Sequence, residues 1–313
     1  MPWLATCAAL LLCAYAQLES QRFSSALDDR TSGGHYVLTV HSVDADEPAE
    51  IRVSSCEALV SDPRVERAGI LRDGRLVAVP QLGADQRLIE ASTGLFPQLL
   101  EADALVGPRL PAVSGALIVD GRPLRPLRLE EQPRGVDVNS SVVLPVRAFQ
   151  QVHSDCVVVL RPLVRVDQAA ADLIAGLDAR GALTASGPGL GAADLGALYV
   201  ERGERWLGIA VGVLGGLVSA LINRFRAPEL AVYRLSGTSR VDAARLVAYE
   251  QLVAAGFFVA TISASACLLG QRLTAPTALL WWAFAGAAAW FITSVAVSLP
   301  VVLRNPVTAV RDD

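Results

Sequence analysis

The sequence predicts a helical membrane protein: four transmembrane helices, with one large α+β extracytoplasmic domain inserted between helices 1 and 2. Three observations predict it. Hydrophobic residues make up 52% of the chain against 19% charged, and the mean hydropathy is +0.42, outside the ordinary range of soluble domains. Apolar residues gather into runs comparable with the ~20 residues of helix needed to cross ~30 Å of hydrocarbon. Between the first run and the others lies 19–205, a charged stretch with Pro and Gly, long enough to hold a core of its own.

The first segment, 1–18, is apolar from Pro2 onward and reaches ~25 Å as a helix; mismatch of that size costs fractions of a kcal/mol per Å. Two readings of it stand. Ala14-Tyr15-Ala16 before Gln17 has the form of a signal-peptidase site, yet no basic region precedes the apolar run. A retained helix and a cleaved signal peptide both place the 19–205 domain across the membrane.

Within 19–205, residues 36–43 (YVLTVHSV) alternate as a half-buried strand does. Residues 67–79 read as a hairpin about Asp73-Gly74, and 115–129 as another about Asp120-Gly121, because Asp-Gly suits a type I′ turn. Residues 157–160 form a short apolar strand, and 167–177 carry helical spacing at Ala170, Leu173, Ile174 and Leu177. The glycine-rich 181–191 lacks the strand and helix of a phosphate cradle and reads as a flexible connection. Polar helical stretches at 17–27 and 192–205 are expected to extend their neighbouring membrane helices as stalks; flexible linkers are the alternative. Cys56 and Cys156 fall in this exported domain, where a disulfide can persist, whereas Cys7, Cys13 and Cys267 lie in apolar segments.

The remaining helices are placed at about 206–222, 249–270 and 278–303. Gly208, Gly212 and Gly216 recur at every fourth residue along one face, a close-packing pattern that fits contact within a subunit or across a dimer. Trp281 and Trp282 suit an interfacial aromatic belt. Orientation comes from the short loops. The connection 223–248 carries Arg224, Arg226, Arg234, Arg240 and Arg245 against Glu229 and Asp242, while 271–276 has only Arg272. The arginine-rich loop is therefore cytoplasmic, as are both termini, with Arg304 and Arg311 in the tail.

Composition also excludes. No lysine occurs, so there is no P-loop lysine and no Schiff base. His35, His41 and His153 form no metal or catalytic motif and read as scattered surface residues, and no nucleophile elbow occurs. A net charge of -4 gives no case for a nucleic-acid partner. No catalytic residue, metal or cofactor is expected.

The loop 223–248 is longer than two antiparallel helices need, and it is organised. Pro228 and Glu229 start a helix, Gly237 can end it in the left-handed conformation, and Ser239 to Asp242 form an S-x-x-D cap for the next helix. Such a helical elbow offers a docking surface.

Here the chain resembles the FtsX-like, MacB-type family of ABC transporter permeases. The family carries a segment of the form E-I-G-I-L-R-A-L-G-A-S-R between its second and third membrane helices, and ELAVYRLSGTSR is similar to it at Glu229, Arg234, Gly237, Ser239 and Arg240. The tail NPVTAVR resembles the family's D-P-x-x-A-L-R at Pro306, Ala309 and Arg311. The resemblance implies a permease without ATPase activity of its own, dimeric with itself or with another permease in the lipid membrane. Those five elbow residues would couple it to a separate cytoplasmic ABC ATPase whose motion reshapes the external domain. A regulator of a cell-wall hydrolase and a receptor or scaffold without an ATPase are the alternatives. The first helix departs from the family in being short and without a basic lead-in; a misplaced start, or descent from half of a larger permease, would account for it.

Overall fold

Four helices in the structure, a computed structural model, are long and apolar enough to cross a membrane: Pro2–Ser32, Leu207–Phe225, Arg240–Leu269 and Leu279–Pro300. The described residues are 2–44, 48–146, 152–200, 206–269 and 276–303. Arg272, the far end of the second stalk at 201–205, Arg304 and the tail residues Pro306, Ala309 and Arg311 lie outside them. The chain divides into two units, Met1–Ser25 with Ala197–Asp313, and Ala26–Gly196.

In chain order the helices are α1 (Pro2–Ser32), α2 (Val53–Ala58), α3 (Val166–Ala175), α4 (Leu195–Val200), α5 (Leu207–Phe225), α6 (Ala227–Leu235), α7 (Arg240–Leu269) and α8 (Pro276–Leu303). Helix α1 runs unbroken past residue 27 and stops where Gly34 takes φ +76°. There the Gly34 and His35 N–H groups donate to the Thr31 and Arg30 carbonyls, which satisfies the helix's last acceptors.

The region between α1 and α5 mixes strands with short helices. Its strands are β1 (Val37–Ser42), β2 (Glu50–Arg52), β3 (Val65–Gly69), β4 (Leu71–Val79), β5 (Ala84–Ala91), β6 (Ala104–Val106) and β7 (Leu117–Val119). They continue as β8 (Arg122–Leu124), β9 (Pro126–Arg128), β10 (Ser141–Pro145), β11 (Val152–His153), β12 (Cys156–Leu160), β13 (Ala179–Arg180) and β14 (Leu183–Ser186). One sheet has the order β14-β1-β12-β3, a second β4-β5-β10-β6-β9; β11-β2-β13 and the β7-β8 hairpin are smaller. Pairing is antiparallel except for β5 with β10 and β6 with β9.

The apolar runs Cys156–Leu160 and Ser141–Pro145 are central strands covered on both faces, which is why they read as continuous rather than alternating. Cys156, Val158 and Leu160 enter a core shared with α2 and α3, while Val157 and Val159 turn to a second core shared with Ile89, Leu105 and Val143 of the larger sheet. From the far side of that sheet Leu88, Val142 and Val106 enter a third core, closed by the β7-β8 hairpin through Leu117 and Val119. The two sheets therefore stack face to face over a common core, with helices on one outer side and the hairpin on the other.

Two Asp-Gly dipeptides take opposite fates. Asp120 and Gly121 have φ 51° and 75° and join β7 to β8 in a two-residue turn. Asp73-Gly74, expected to turn a hairpin over 67–79, instead lies inside β4, at a break in its register with β5. A Cβ on Gly74 would lie 1.9 Å from the Leu88 carbonyl oxygen, so this glycine serves a bulge and a close backbone approach. The chain in fact changes sheets at Ile70, whose N–H and C=O both bond to Ser92. The expected flexible connection 181–191 is also corrected: it contains β14, paired with β1, and Cβ atoms on Gly187 and Gly189 would meet the Val37 and His35 carbonyls at 2.4 and 1.9 Å. The three histidines are half-buried rather than on the surface. A disulfide joins Cys56 of α2 to Cys156 of β12 across 100 residues of sequence, with both residues fully buried.

In the other unit α5 packs along α8 by backbone approach. Cβ atoms on Gly208, Gly212 and Gly216 would lie 2.7 Å from Trp282 Cβ, 2.1 Å from Gly286 O and 2.7 Å from Trp290 O. Gly215 does the same for the Trp290 ring at 2.1 Å. The glycine face of α5 thus packs within the subunit. Trp282 lies against Gly208, while Trp281 is exposed. Ala5, Ala9, Leu12 and Cys13 of α1 share a core with Phe258 of α7 and Trp290 of α8.

Two outcomes test these accounts. Gly212→Leu forces α5 and α8 apart and costs about 3 kcal/mol or more, whereas Gly256→Ala in α7, with nothing within 4 Å of the new Cβ, gains up to about 1 kcal/mol of helix propensity; thermal melting of the detergent-solubilised protein reads both. Replacing Cys56 and Cys156 by Ala frees a long loop in the unfolded chain and costs up to about 4–5 kcal/mol, visible as a lower melting temperature of the α/β unit.

Candidate functional site

Residues 223–250 turn the chain twice in succession, and each turn is closed by a local hydrogen-bond device. Helix α6 starts with Pro228 in its first turn, where its missing N–H costs nothing, and with Glu229 near the helix's positive end. It stops at Gly237, φ +103°. The Gly237 N–H donates to Arg234 O and the Thr238 N–H to Tyr233 O, each at 3.2 Å, the paired bonds of a Schellman ending. Nothing lies within 4 Å of a Cβ at Gly237, so glycine is required there by conformation and not by space. Helix α7 then begins at once. Ser239 Oγ accepts from the Asp242 N–H at 3.1 Å and donates to Asp242 Oδ2 at 2.6 Å. The reciprocal half of the capping box therefore runs from hydroxyl to carboxylate. Helix α7 continues without a break into its apolar length.

The elbow is fastened at its base by Arg226, between α5 and α6. Its guanidinium donates from Nη1 to Glu250 Oε2 at 2.9 Å and from Nη2 to Glu250 Oε1 at 3.4 Å, the forked geometry that suits a carboxylate. Its Nε donates to Glu229 Oε2 at 3.2 Å. These bonds, first to Glu250 and then to Glu229, raise the Arg226 pKa above its ordinary value. One side chain thus ties the end of α5, the start of α6 and the body of α7. One turn further into the bundle, buried Asn223 of α5 donates from Nδ2 to Ser298 Oγ of α8 at 3.1 Å.

The expected coupling residues come together on this elbow but are not equivalent. Glu229 is exposed and engaged by Arg226. Arg234 is half-buried in the last turn of α6, where a cation suits the helix dipole. Arg240 is exposed at the first residue of α7, where the same dipole opposes a cation by about 0.3–1 kcal/mol; helix stability does not explain it. Around these lies an apolar surface: Val232, Leu235 and Tyr249 are each more than 60% exposed. Sequence reasoning missed the Arg226–Glu250 clamp. The available signal was a lone carboxylate, Glu250, at the mouth of an apolar run.

The α/β unit has a cleft of about 860 Å³, with Glu50, Arg52, Glu57, Asp178 and Arg180 on its walls. Its charges engage neighbours: Arg52 with Asp178 at 3.0 Å, Arg180 with Glu50 at 3.8 Å, and Glu57 accepting from Gly94 N at 2.9 Å. Away from it, Arg64 binds Asp62 and Asp172, holding the Asp62 carboxyl below its usual value.

Arg226→Ala should loosen the elbow without unfolding the bundle. A half-exposed forked pair contributes up to about 1 kcal/mol, so amide exchange along α6 should quicken about fivefold, while exchange in the middle of α7 stays unchanged. Gly237→Val, forced into the left-handed region at about 1–2 kcal/mol, should fray the same α6 amides.

No family model matches this chain, and no curated protein matches it.

Proposed function

We propose that this protein is the membrane-spanning permease subunit of an ABC-type transport complex of the FtsX-like kind. In that reading its four long apolar helices cross the bilayer and the elbow faces the cytoplasm with both termini. The α/β unit stands outside, and the elbow receives the motion of a separate ABC ATPase. The single observation that carries this reading is the elbow itself: a short helix, ended and restarted within a few residues, clamped at its base and continuous with a long apolar helix. A loop that merely connects has no need of a Schellman ending, a cap and a forked ion pair in succession. A lever that must pass displacement into a helix bundle does.

Other features support the same reading. The exposed Val232, Leu235 and Tyr249, beside Arg240, offer a partner an apolar patch with a cation at its edge. Five arginines between α5's last turn and α7's second turn fit the positive-inside rule. The Cys56–Cys156 disulfide fits an oxidising, extracytoplasmic location for the α/β unit. Among the described residues the long helices pack through glycine and aromatic side chains along the α5–α8 contact, which suits mechanical transmission better than an ion path.

Purification from the native membrane in mild detergent should bring down an ABC ATPase, and reconstitution should give ATP hydrolysis that the permease stimulates. Arg240→Ala, which leaves Arg224, Arg226, Arg234 and Arg245 to hold the topology, should lower stimulated turnover while the protein still inserts. Wild-type turnover in Arg240→Ala and Gly237→Val together would reduce the elbow to a loop. A cell-wall hydrolase recovered with no ATPase would replace the transport reading with the regulatory one.

A further inference from the structure

Four polar side chains lie sealed inside the helical unit without a protein hydrogen-bond partner among the described residues. They are Ser219 Oγ of α5, both amide atoms of Gln251 in α7, and Trp290 Nε1 and Ser294 Oγ of α8. Ser219, Gln251 and Ser294 are 0% exposed and Trp290 2%.

These groups lie within about two helical turns of one another along the bundle. Helices α5 and α8 run in parallel register, since Gly212 faces Gly286, Gly216 faces Trp290 and Ser294, and Asn223 bonds Ser298. Ser219, just past Gly216, is thus level with Ser294. Helix α7 ends at Leu269 and α8 begins at Pro276, so these packed helices run antiparallel. The Phe258 and Trp290 rings lie 6.0 Å apart. Gln251 precedes Phe258 by two turns and Ser294 follows Trp290 by one, which brings Gln251 to the level of Ser294 and Ser298. Toward the elbow this stretch runs into the Asn223–Ser298 pair and, beside Gln251, the Arg226–Glu250 pair. On the other side the Trp290 ring sits against Gly215 and closes the polar stretch.

A buried polar group left unpaired costs about 1–3 kcal/mol, so several within two turns favour a ligand that satisfies them together. The chemistry says which. Gln251 Nε2 and Trp290 Nε1 only donate, Gln251 Oε1 only accepts, and the two hydroxyls do either. The N–H donors oppose a cation, the lone amide oxygen opposes an anion, and no formal charge is present. The fitting ligand is small, neutral and able both to donate and to accept. We propose that Ser219, Gln251, Trp290 and Ser294 form a water-binding seam inside the helix bundle that begins beside the elbow clamp. A buried water makes about three hydrogen bonds, so a few molecules satisfy the whole set. Water at this level also lets α7 shift against α5 and α8 by trading bridged for direct hydrogen bonds at small cost.

X-ray radiolytic footprinting of the full chain in detergent tests this, because radicals made from bound water oxidise the side chains that this water touches. Trp290, shielded from bulk solvent, should be oxidised in the wild type, and its rate should fall severalfold in Gln251→Leu, which removes donor and acceptor at nearly constant volume. Ser294→Ala, which adds no bulk, should lower it as well and covers the case in which the leucine variant misfolds. An unoxidised Trp290 in the wild type overturns the proposal, and so does a rate unchanged or raised in both variants. None of these outcomes depends on an ATPase partner, so the seam and the permease reading fail separately.

Discussion

The helical unit depends on the contact of Gly212 with Gly286, where two backbones meet with no side chain between them. Any larger residue at either position would push α5 and α8 apart. Because they touch, their registers are locked, and the polar contacts between these helices depend on that lock. Asn223 reaches Ser298, Phe258 of α7 finds the shallow surface over Gly286, and Trp290 fills the space left by Gly215. Packing through small residues holds α5 to α8 without an ion pair between them among the described residues. Dispersion between close backbones and flat rings supplies the contact energy, and the charges are left for the elbow.

At the elbow the balance is reversed. Helix α6 has few apolar contacts of its own, and hydrogen bonds hold it: the Schellman pair at Gly237, the Ser239–Asp242 cap and the Arg226 fork. Such bonds are directional and individually modest, so the segment has a defined shape yet little stability to resist displacement. A well-shaped, weakly held segment that leads directly into a long helix is what a coupling element requires, and this is the physical basis of the permease proposal. The proposed water-binding seam, which begins beside the clamp, would lower the resistance of the bundle to the same displacement.

The α/β unit shows the opposite economy. Its central strands are buried on both faces, its two main sheets share one core, and the disulfide ties α2 to an inner strand of one of them. Such a body moves as a whole, since interiors packed at crystal density do not deform continuously. The paired charges of its cleft and the Arg64 cluster shape its surface.

The sequence by itself determined the features that depend on short-range physics. The four apolar helices come from run length, α6 and α7 from proline, glycine and capping residues a few positions apart, the Asp120-Gly121 turn from its dipeptide, and the glycine face of α5 from its four-residue repeat. The tertiary structure alone decided whatever depended on which segments become neighbours. Asp73-Gly74 and Asp120-Gly121 are the same two residues, yet only the second turns the chain, because the backbone at Leu88 crosses close to Gly74 and holds it within a strand. The glycine-rich 181–191 reads as loose until β1 is seen to pair with its middle. Glu250 and Gln251 are adjacent in sequence and alike in size, but one clamps Arg226 at the elbow and the other is buried with no hydrogen-bond partner among the described residues. Hydrogen-bond partners lying dozens of residues away leave no periodicity in the chain, and only the packed register of the helices brings them within reach.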